Sequence, residues 1–339
     1  MDNPLDYWTF FADEARRVGA PLYGRLSLGI GSDESLREFA NGARPGQPPA
    51  NILFAAVHFL LLRGVQHPLR EFYRNLGGTS SEDPFPVFCD FVEKYRAELI
   101  PLIATRATQT NEVGRSAILH AAFRRVAMEA RGPLNLIEIG PSAGLNMIWD
   151  HYAVRYRSAD DTIVLGDSEL VIDCELRGDI RPPLGQAPNI ASRIGLERNP
   201  VDLSDPDRRD WLKALVWPDQ AERFARLEKA IAIFARHKQE IRAGDALENL
   251  SDAIARVPED QPVCIYHTMA VYQFSDEMRE TLDAILTVAG LRRTIWRLSF
   301  EGTLSGDNPL LLYSYRDGKK EKLTLGLAHP HGAWLEWLA

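Results

Sequence analysis

The segment Asn135–Asn146 puts an acid, Glu138, two residues ahead of a small-residue turn, Gly140-Pro141-Ser142-Ala143-Gly144, that follows the short apolar run Leu134–Ile139. Glycines suit such a turn because a ligand can approach bare backbone and the chain can take a positive φ. A helix opening after the turn would offer free N–H groups and a positive dipole end. A dinucleotide site asks for G-x-G-x-x-G, with the pyrophosphate on that dipole. Here the spacing is Gly140, Ser142, Gly144, and Glu138 would repel a pyrophosphate while suiting an amino-acid ammonium. For the loop alone, the alternative is a tight strand-to-helix turn without a ligand. A second group, His329 and His331, forms a His-x-His pair. A metal would need a further ligand that the sequence does not place, so a surface turn and no metal are expected there.

The pattern Glu138-x-Gly140-x-Ser142-x-Gly144 resembles the first motif of class I S-adenosylmethionine-dependent methyltransferases, with Ser142 where the middle glycine would stand. More of the chain resembles a bacterial family of uncharacterised proteins, domain of unknown function 2332. The matching stretches are Gln109–Glu112, Glu138–Asp150 with Tyr152, Gly195–Asp202, Trp211–Arg223 with its Trp217-Pro218-Asp219-Gln220, and Gly244-Asp245-Ala246. The resemblance implies a Rossmann-like class I methyltransferase fold with S-adenosylmethionine as cofactor, and it suggests methyl transfer to a small molecule. Carried over by position, Gly140, Ser142 and Gly144 would line the methionine part and ribose, with Asn146 also in the cofactor site. Glu138 would face the ammonium side, directly or through water. Glu197, longer than the aspartate usual at that place, would accept from the ribose hydroxyls, one per carboxylate oxygen; Asp202 is the fallback. Asp245 would receive the adenine amino group, with Ala246 packing nearby. For each acid the alternative is a solvated loop or a helix cap.

Methyl transfer from a sulfonium is a direct displacement that gains from alignment and exclusion of water. A base is needed only when the acceptor atom carries a proton. The fourth strand should end at Tyr266-His267-Thr268, on the edge where open α/β sheets bind ligands. His267 is the candidate base, against a histidine that holds a loop or stacks on adenine; Tyr272 is a pocket wall or a core aromatic. Glu301 follows the fifth strand and would face substrate. Asn111 or Arg115 would close over the ligand's carboxylate, Arg115 as a bidentate pair, against a capped surface helix.

These residues need elements to carry them. Residues 1–131 read as helices: Leu5, Trp8, Phe11, Ala15 and Val18 keep helical spacing, Ile52–Arg63 follows Asn51, another helix covers Pro86–Ile100, and a longer one runs from Thr110 or Asn111 to Arg131. Residues 132–339 alternate strands and helices, which builds a mostly parallel, doubly wound sheet. A helix is expected over Ala143–Tyr156 and a hairpin insertion at about 160–190, turning at Gly166-Asp167. Strands are expected at Ser192–Glu197, Glu240–Ala243, Val263–His267, Arg293–Ser299, Leu310–Tyr315 and Lys322–Leu327. The last two should form an antiparallel hairpin through Arg316-Asp317-Gly318. The helical region would serve as a cap over the binding domain.

Bulk properties narrow the class. A net charge of -8 over 339 residues argues against a nucleic-acid partner. Cys89, Cys174 and Cys264 are too scattered for zinc spacing and fit a reducing cytosol. Met1-Asp2-Asn3-Pro4 has no basic leader, and the apolar run Ile52–Leu62 is shorter than the ~20 residues that span a bilayer. A cytoplasmic enzyme acting on a small molecule is expected. The alternatives are a catalytically inactive ligand-binding or scaffold protein on the same fold, and an NAD-dependent oxidoreductase.

Overall fold

The computed structural model describes residues 4–302 and 308–339; Met1–Asn3 and the segment 303–307 lie outside the described residues. The elements in chain order are α1 (Pro4–Arg17), α2 (Pro21–Ser32), α3 (Glu34–Ala40), α4 (Pro49–Leu62), α5 (Phe85–Lys94), α6 (Arg96–Thr105), α7 (Ser116–Ala127), β1 (Leu134–Ile139), β2 (Ala153–Arg157), β3 (Thr162–Leu165), β4 (Val171–Arg177), β5 (Ile190–Glu197), α8 (Pro206–Ala214), α9 (Ala221–Arg236), β6 (Glu240–Ala243), α10 (Ala246–Ala255), β7 (Val263–Thr268), α11 (Asp276–Ala289), β8 (Ile295–Phe300), β9 (Pro309–Arg316), β10 (Lys319–Ala328) and β11 (Trp334–Trp337). The chain forms two units, Met1–Thr110 with Asp202–Glu228, and Asn111–Val201 with Lys229–Ala339. This division differs from a simple break at residue 131: α7 folds with the sheet, and 202–228 folds with the early helices.

The first unit is helical. α4 is apolar on every side, so it has no solvent face to offer and becomes the centre. Trp8, Phe11, Tyr23, Phe88 and Phe91 close around it. The expected helix over Pro86–Ile100 breaks at Tyr95, whose φ of -110° and ψ of 24° lie outside the helical range. Trp217-Pro218-Asp219 fastens 202–228 to these helices. Trp217 packs 5.3 Å from Phe11, the Pro218 carbonyl accepts from Asn75 N–H, and Asp219 accepts from the Leu22 N–H at the start of α2.

The second unit is a mixed α/β body around one eleven-stranded, mostly parallel sheet of order β3-β2-β4-β11-β10-β9-β8-β7-β1-β5-β6. Its central parallel strands run β6-β5-β1-β7-β8. The order therefore reverses between β1 and β7, and the carboxyl ends of those two strands are the place where open α/β sheets form a ligand crevice. β1 is buried along its whole length, its four aliphatic side chains enclosing the polar Asn135 and Glu138 as well. One face packs Ile137, Ile139, Leu196 and Ile265 under α10 and α11. On the other, Phe123 of α7 stacks on Trp149 and meets Tyr266 edge-on.

Several expectations change here. No α-helix covers Ala143–Tyr156: Gly144 is left-handed, Ile148 leaves helical geometry, and Leu145–His151 forms only a 3-10 turn before β2 begins. Alternating Val154, Arg155, Tyr156 and Arg157 then satisfy a strand better than a helix. The hairpin in the insertion is β2–β3, not a turn at Gly166-Asp167, and β4 runs parallel to β2. The long helix expected from Thr110 becomes a 3-10 turn, Val113–Arg115, followed by α7. β11, only four residues long, was not anticipated; it joins β10 to β4 and so makes the insertion continuous with the main sheet. The β9–β10 hairpin matches expectation, with Asp317 (φ 50°) and Gly318 (φ 73°) as the two left-handed residues its tight turn demands. Among the described residues no helix is long and apolar enough to cross a membrane.

Candidate functional site

The loop after β1 is held from both sides. Gly140 N–H donates to the Leu196 carbonyl (3.0 Å), Ser142 N–H to Glu197 Oε2 (2.9 Å), and the Ser142 carbonyl accepts from Val201 N–H (3.1 Å). Gly140 and Gly144 take positive φ, at 73° and 83°. A side chain at Gly140 would meet Ala270 Cβ at 2.6 Å, so the loops after β1 and β7 touch at that point. A side chain at Gly144 would instead enter the core, 2.9 Å from Ile241 Cδ1. Gly144 therefore serves packing, where the sequence suggested ligand approach.

Ser142 is the unusual member. Its φ is 57°, in the left-handed region that a side chain disfavours. It is 6% exposed, and its hydroxyl has no hydrogen-bond partner in the protein. Across the crevice Met269 is also left-handed (φ 53°). Apart from the hairpin residue Asp317, these are the described non-glycine residues with positive φ. Backbone strain of this kind concentrates at functional sites.

Glu138 is fully buried and accepts from the Tyr266 hydroxyl at 2.9 Å. Burial pushes its carboxyl up to about 8; the Tyr266 bond and the Arg115 charge pull it down, and Glu197 pushes it up again. Glu197, half-buried at the end of β5, accepts from Ser142 N–H through one oxygen and from Asn199 N–H through the other. Asp245 caps α10 through Leu247 N–H and pairs with Arg198 at 2.8 Å. Burial raises its carboxyl, but the Arg198 and backbone bonds outweigh that and hold it below the usual range. Ala246 is the first residue of α10. Asp202 accepts from the Ser204 N–H and hydroxyl in a local turn of the helical unit.

His267 does not sit as a base would. Its side chain is fully buried, Nδ1 bonds Glu301 Oε1 at 2.5 Å, and Nε2 accepts from Arg297 Nε–H at 3.0 Å. Burial lowers its pKa; Glu301 opposes this and Arg297 adds to it. Both nitrogens are engaged, so the ring offers no lone pair to a substrate. It steadies Glu301, which accepts from the N–H groups of Ala270, Val271 and Tyr272. Glu301 is thus an internal anion that shapes the loop after β7. Its carboxyl is raised by burial and lowered by His267 and these N–H groups, with a net fall. Tyr272 is neither core nor wall but 54% exposed on the rim.

Asn111, Arg115 and Asn146 gather at the same end of the sheet. Asn111 Oδ1 accepts from Leu145 N–H, just past the glycine loop. Asn146 is buried, accepting from the Ser116 hydroxyl and donating to the Glu112 carbonyl. Arg115 donates to the Thr268 carbonyl at the end of β7 (3.1 Å) and to the Pro330 carbonyl (2.9 Å). It ties two loops together where a clamp on a ligand carboxylate was expected. Tyr266 and Ser116 carried no signal in the sequence; their importance lies in partners more than twenty residues away. Among the described residues no three metal-ligating side chains converge.

The chain belongs to a family described as uncharacterised proteins conserved in bacteria, domain of unknown function 2332, whose family model matches residues 6–337. No curated protein matches it significantly.

Proposed function

We propose that the crevice between β1 and β7 binds S-adenosylmethionine as class I methyltransferases do, on a Rossmann-like core, and that the protein methylates a small molecule in the cytoplasm. The observation that carries this is Ser142: a strained residue with a buried hydroxyl that no protein group partners, on the loop where the strand order reverses. A buried polar group without a partner costs about 1–3 kcal/mol, and a ligand that accepts or donates there removes the cost. The Glu138 carboxyl lies on the strand leading into the same loop and suits a cationic amino group. Each Glu197 oxygen takes one N–H and keeps a lone pair for a ribose hydroxyl. Asp245 fits an adenine amino group less well, because Arg198 and Leu247 already occupy it. Once bound, the cofactor would supply an electrophilic methyl on a sulfonium; Arg115, Glu301 and Asn111 fix the loops that enclose it.

A dinucleotide is disfavoured. The glycine loop leads into a 3-10 turn rather than an α-helix, and Leu145 N–H is already taken by Asn111, so no helix N-terminus faces a pyrophosphate. Ligand binding without catalysis is the alternative, favoured by the closure of His267. Calorimetric titration of the whole protein with S-adenosylmethionine, S-adenosylhomocysteine and NAD is the test. Binding of the first two but not NAD supports the proposal; NAD binding alone, or none of the three, overturns it.

A further inference from the structure

Parallel pairing of β7 with β8 sets Ile265 beside Arg297 and His267 beside Ser299, so the Arg297 side chain reaches His267 along the face that α11 covers. Arg297 is buried and meets three groups there. Its Nε donates to His267 Nε2 at 3.0 Å, its Nη1 pairs with Asp283 of α11 at 2.8 Å, and its guanidinium lies over the Tyr313 ring. Tyr315 donates its hydroxyl to the same Asp283 oxygen at 2.6 Å, and Lys320 pairs with the other at 2.5 Å. On its far side His267 bonds Glu301 through Nδ1, and Glu301 gathers the N–H groups of Ala270, Val271 and Tyr272. Ala270 in turn lies against Gly140 of the glycine loop. A continuous line of contacts joins Lys320, at the surface, to the loop after β1.

Glu301 is a buried anion whose adjoining partner is an imidazole. A histidine beside a glutamate ordinarily takes up a second proton and becomes its cation. Arg297 opposes that. A guanidinium is always protonated and only donates, so Nε2 keeps its lone pair and the ring proton stays on Nδ1, toward Glu301. A second ring proton would set N–H against N–H. Burial and the Arg297 charge press the imidazole toward its neutral form, Glu301 and Asp283 press the other way, and the pKa is lowered on balance. Arg115 and Arg279 approach the same loop through the Thr268 and Tyr272 carbonyls. Glu138 and Tyr266 lie on the opposite face of the sheet, with α7.

We propose that Arg297 is a positioning residue for the loop after β7: through a neutral His267 it supplies the fixed positive charge that keeps Glu301 ionised and the Ala270–Tyr272 loop against Gly140 at any pH between about 5 and 8. Asp283, Tyr315 and Lys320 anchor that charge from α11, β9 and β10. A histidine–glutamate pair by itself would switch in this range; the guanidinium makes the loop indifferent to it. The effect on ligand binding rests on the cofactor reading above, whereas the effect on the imidazole does not.

Imidazole nitrogen NMR spectra of the whole protein, labelled at histidine, read the ring directly. In the parent, His267 should stay neutral with its proton on Nδ1 from about pH 5 to about pH 8. In Arg297→Met it should titrate within that range. The S-adenosylhomocysteine affinity of this variant, as a ratio to the parent at each pH, should fall several-fold at the upper end and recover as His267 gains its proton. His267→Gln, a neutral group that both donates and accepts, should bind S-adenosylhomocysteine several-fold more tightly than His267→Leu. A parent His267 that titrates in this range overturns the inference. So does an Arg297→Met ratio that is constant with pH, which is what a merely structural loss gives, and so does equal affinity in the two His267 variants. If S-adenosylhomocysteine does not bind the parent, the cofactor reading falls, and the ring spectra of the parent decide whether Arg297 holds His267 neutral.

Discussion

Tyr266 donates its hydroxyl to Glu138 Oε2 at 2.9 Å, from adjacent parallel strands and wholly inside the sheet. The pair keeps an acid next to the glycine loop, buried from bulk solvent. Burial sets its value near 8, against 4.5 for an exposed glutamate. Because the folded value lies above the unfolded one, the folded state holds the extra proton. Glu138 therefore costs nothing below about pH 4.5 and progressively destabilises the fold as pH rises to about 8. Glu138→Gln should melt at the same temperature as the parent near pH 4.5 and higher than it at pH 9, by scanning calorimetry. Equal melting at pH 9 would remove the buried-acid account.

The same acid makes ligand binding proton-linked. A cationic amino group beside Glu138 favours the carboxylate, so binding at pH 7 releases a proton. The calorimetric enthalpy of S-adenosylhomocysteine binding should then vary with the ionisation enthalpy of the buffer, and lose that variation in Glu138→Gln. Identical enthalpies in phosphate and Tris for the parent protein would count against the contact.

Ser142→Gly relieves a left-handed side chain and removes the unpaired hydroxyl, so stability should rise by roughly 1–2 kcal/mol. Affinity for the ligand should fall in the same variant. Urea unfolding and calorimetry read the two effects; a gain in stability with undiminished affinity would show that the hydroxyl meets no ligand.

Glu301→Gln weakens the anchor for three N–H groups. Exchange of the Ala270, Val271 and Tyr272 amides should quicken while those of β1 keep their rates. Unaltered protection at all three would mean that the loop is held by something other than Glu301.

Gly144→Ala places a methyl against Ile241 and forces a left-handed alanine. A destabilisation of about 2 kcal/mol or more is expected. The deficit should appear in ligand-free protein. A variant as stable as the parent but unable to bind would restore Gly144 to the ligand site.

Local rules made much of this legible. β1, β7 and the Asp317-Gly318 turn follow from apolar runs and from residues that tolerate positive φ, and the acid ahead of the glycine loop is visible in any reading of residues 135–146. What failed was non-local. Nothing near His267 announces Arg297, which reaches its ring from the neighbouring strand. Nothing near Arg115 announces Pro330, more than two hundred positions away. Leu145–Tyr156 has enough apolar residues for a helix, and only the left-handed Gly144 and the pairing of β2 with β3 and β4 decide otherwise. Residue types marked where chemistry is dense; pairing across the sheet decided which side chains remain available for it.

β11 has a consequence in time as well as space. During synthesis β2, β3 and β4 leave the ribosome long before Trp334–Trp337, so the outer edge of β4 lacks its β11 partner until those residues emerge. Contacts of such sequence separation form late, because loop closure must precede them. An unpaired strand edge meanwhile invites association with other chains. Nascent chains halted before Trp334 should show rapid amide exchange along β4 and a tendency to aggregate, and both should end once Trp334–Trp337 slots in.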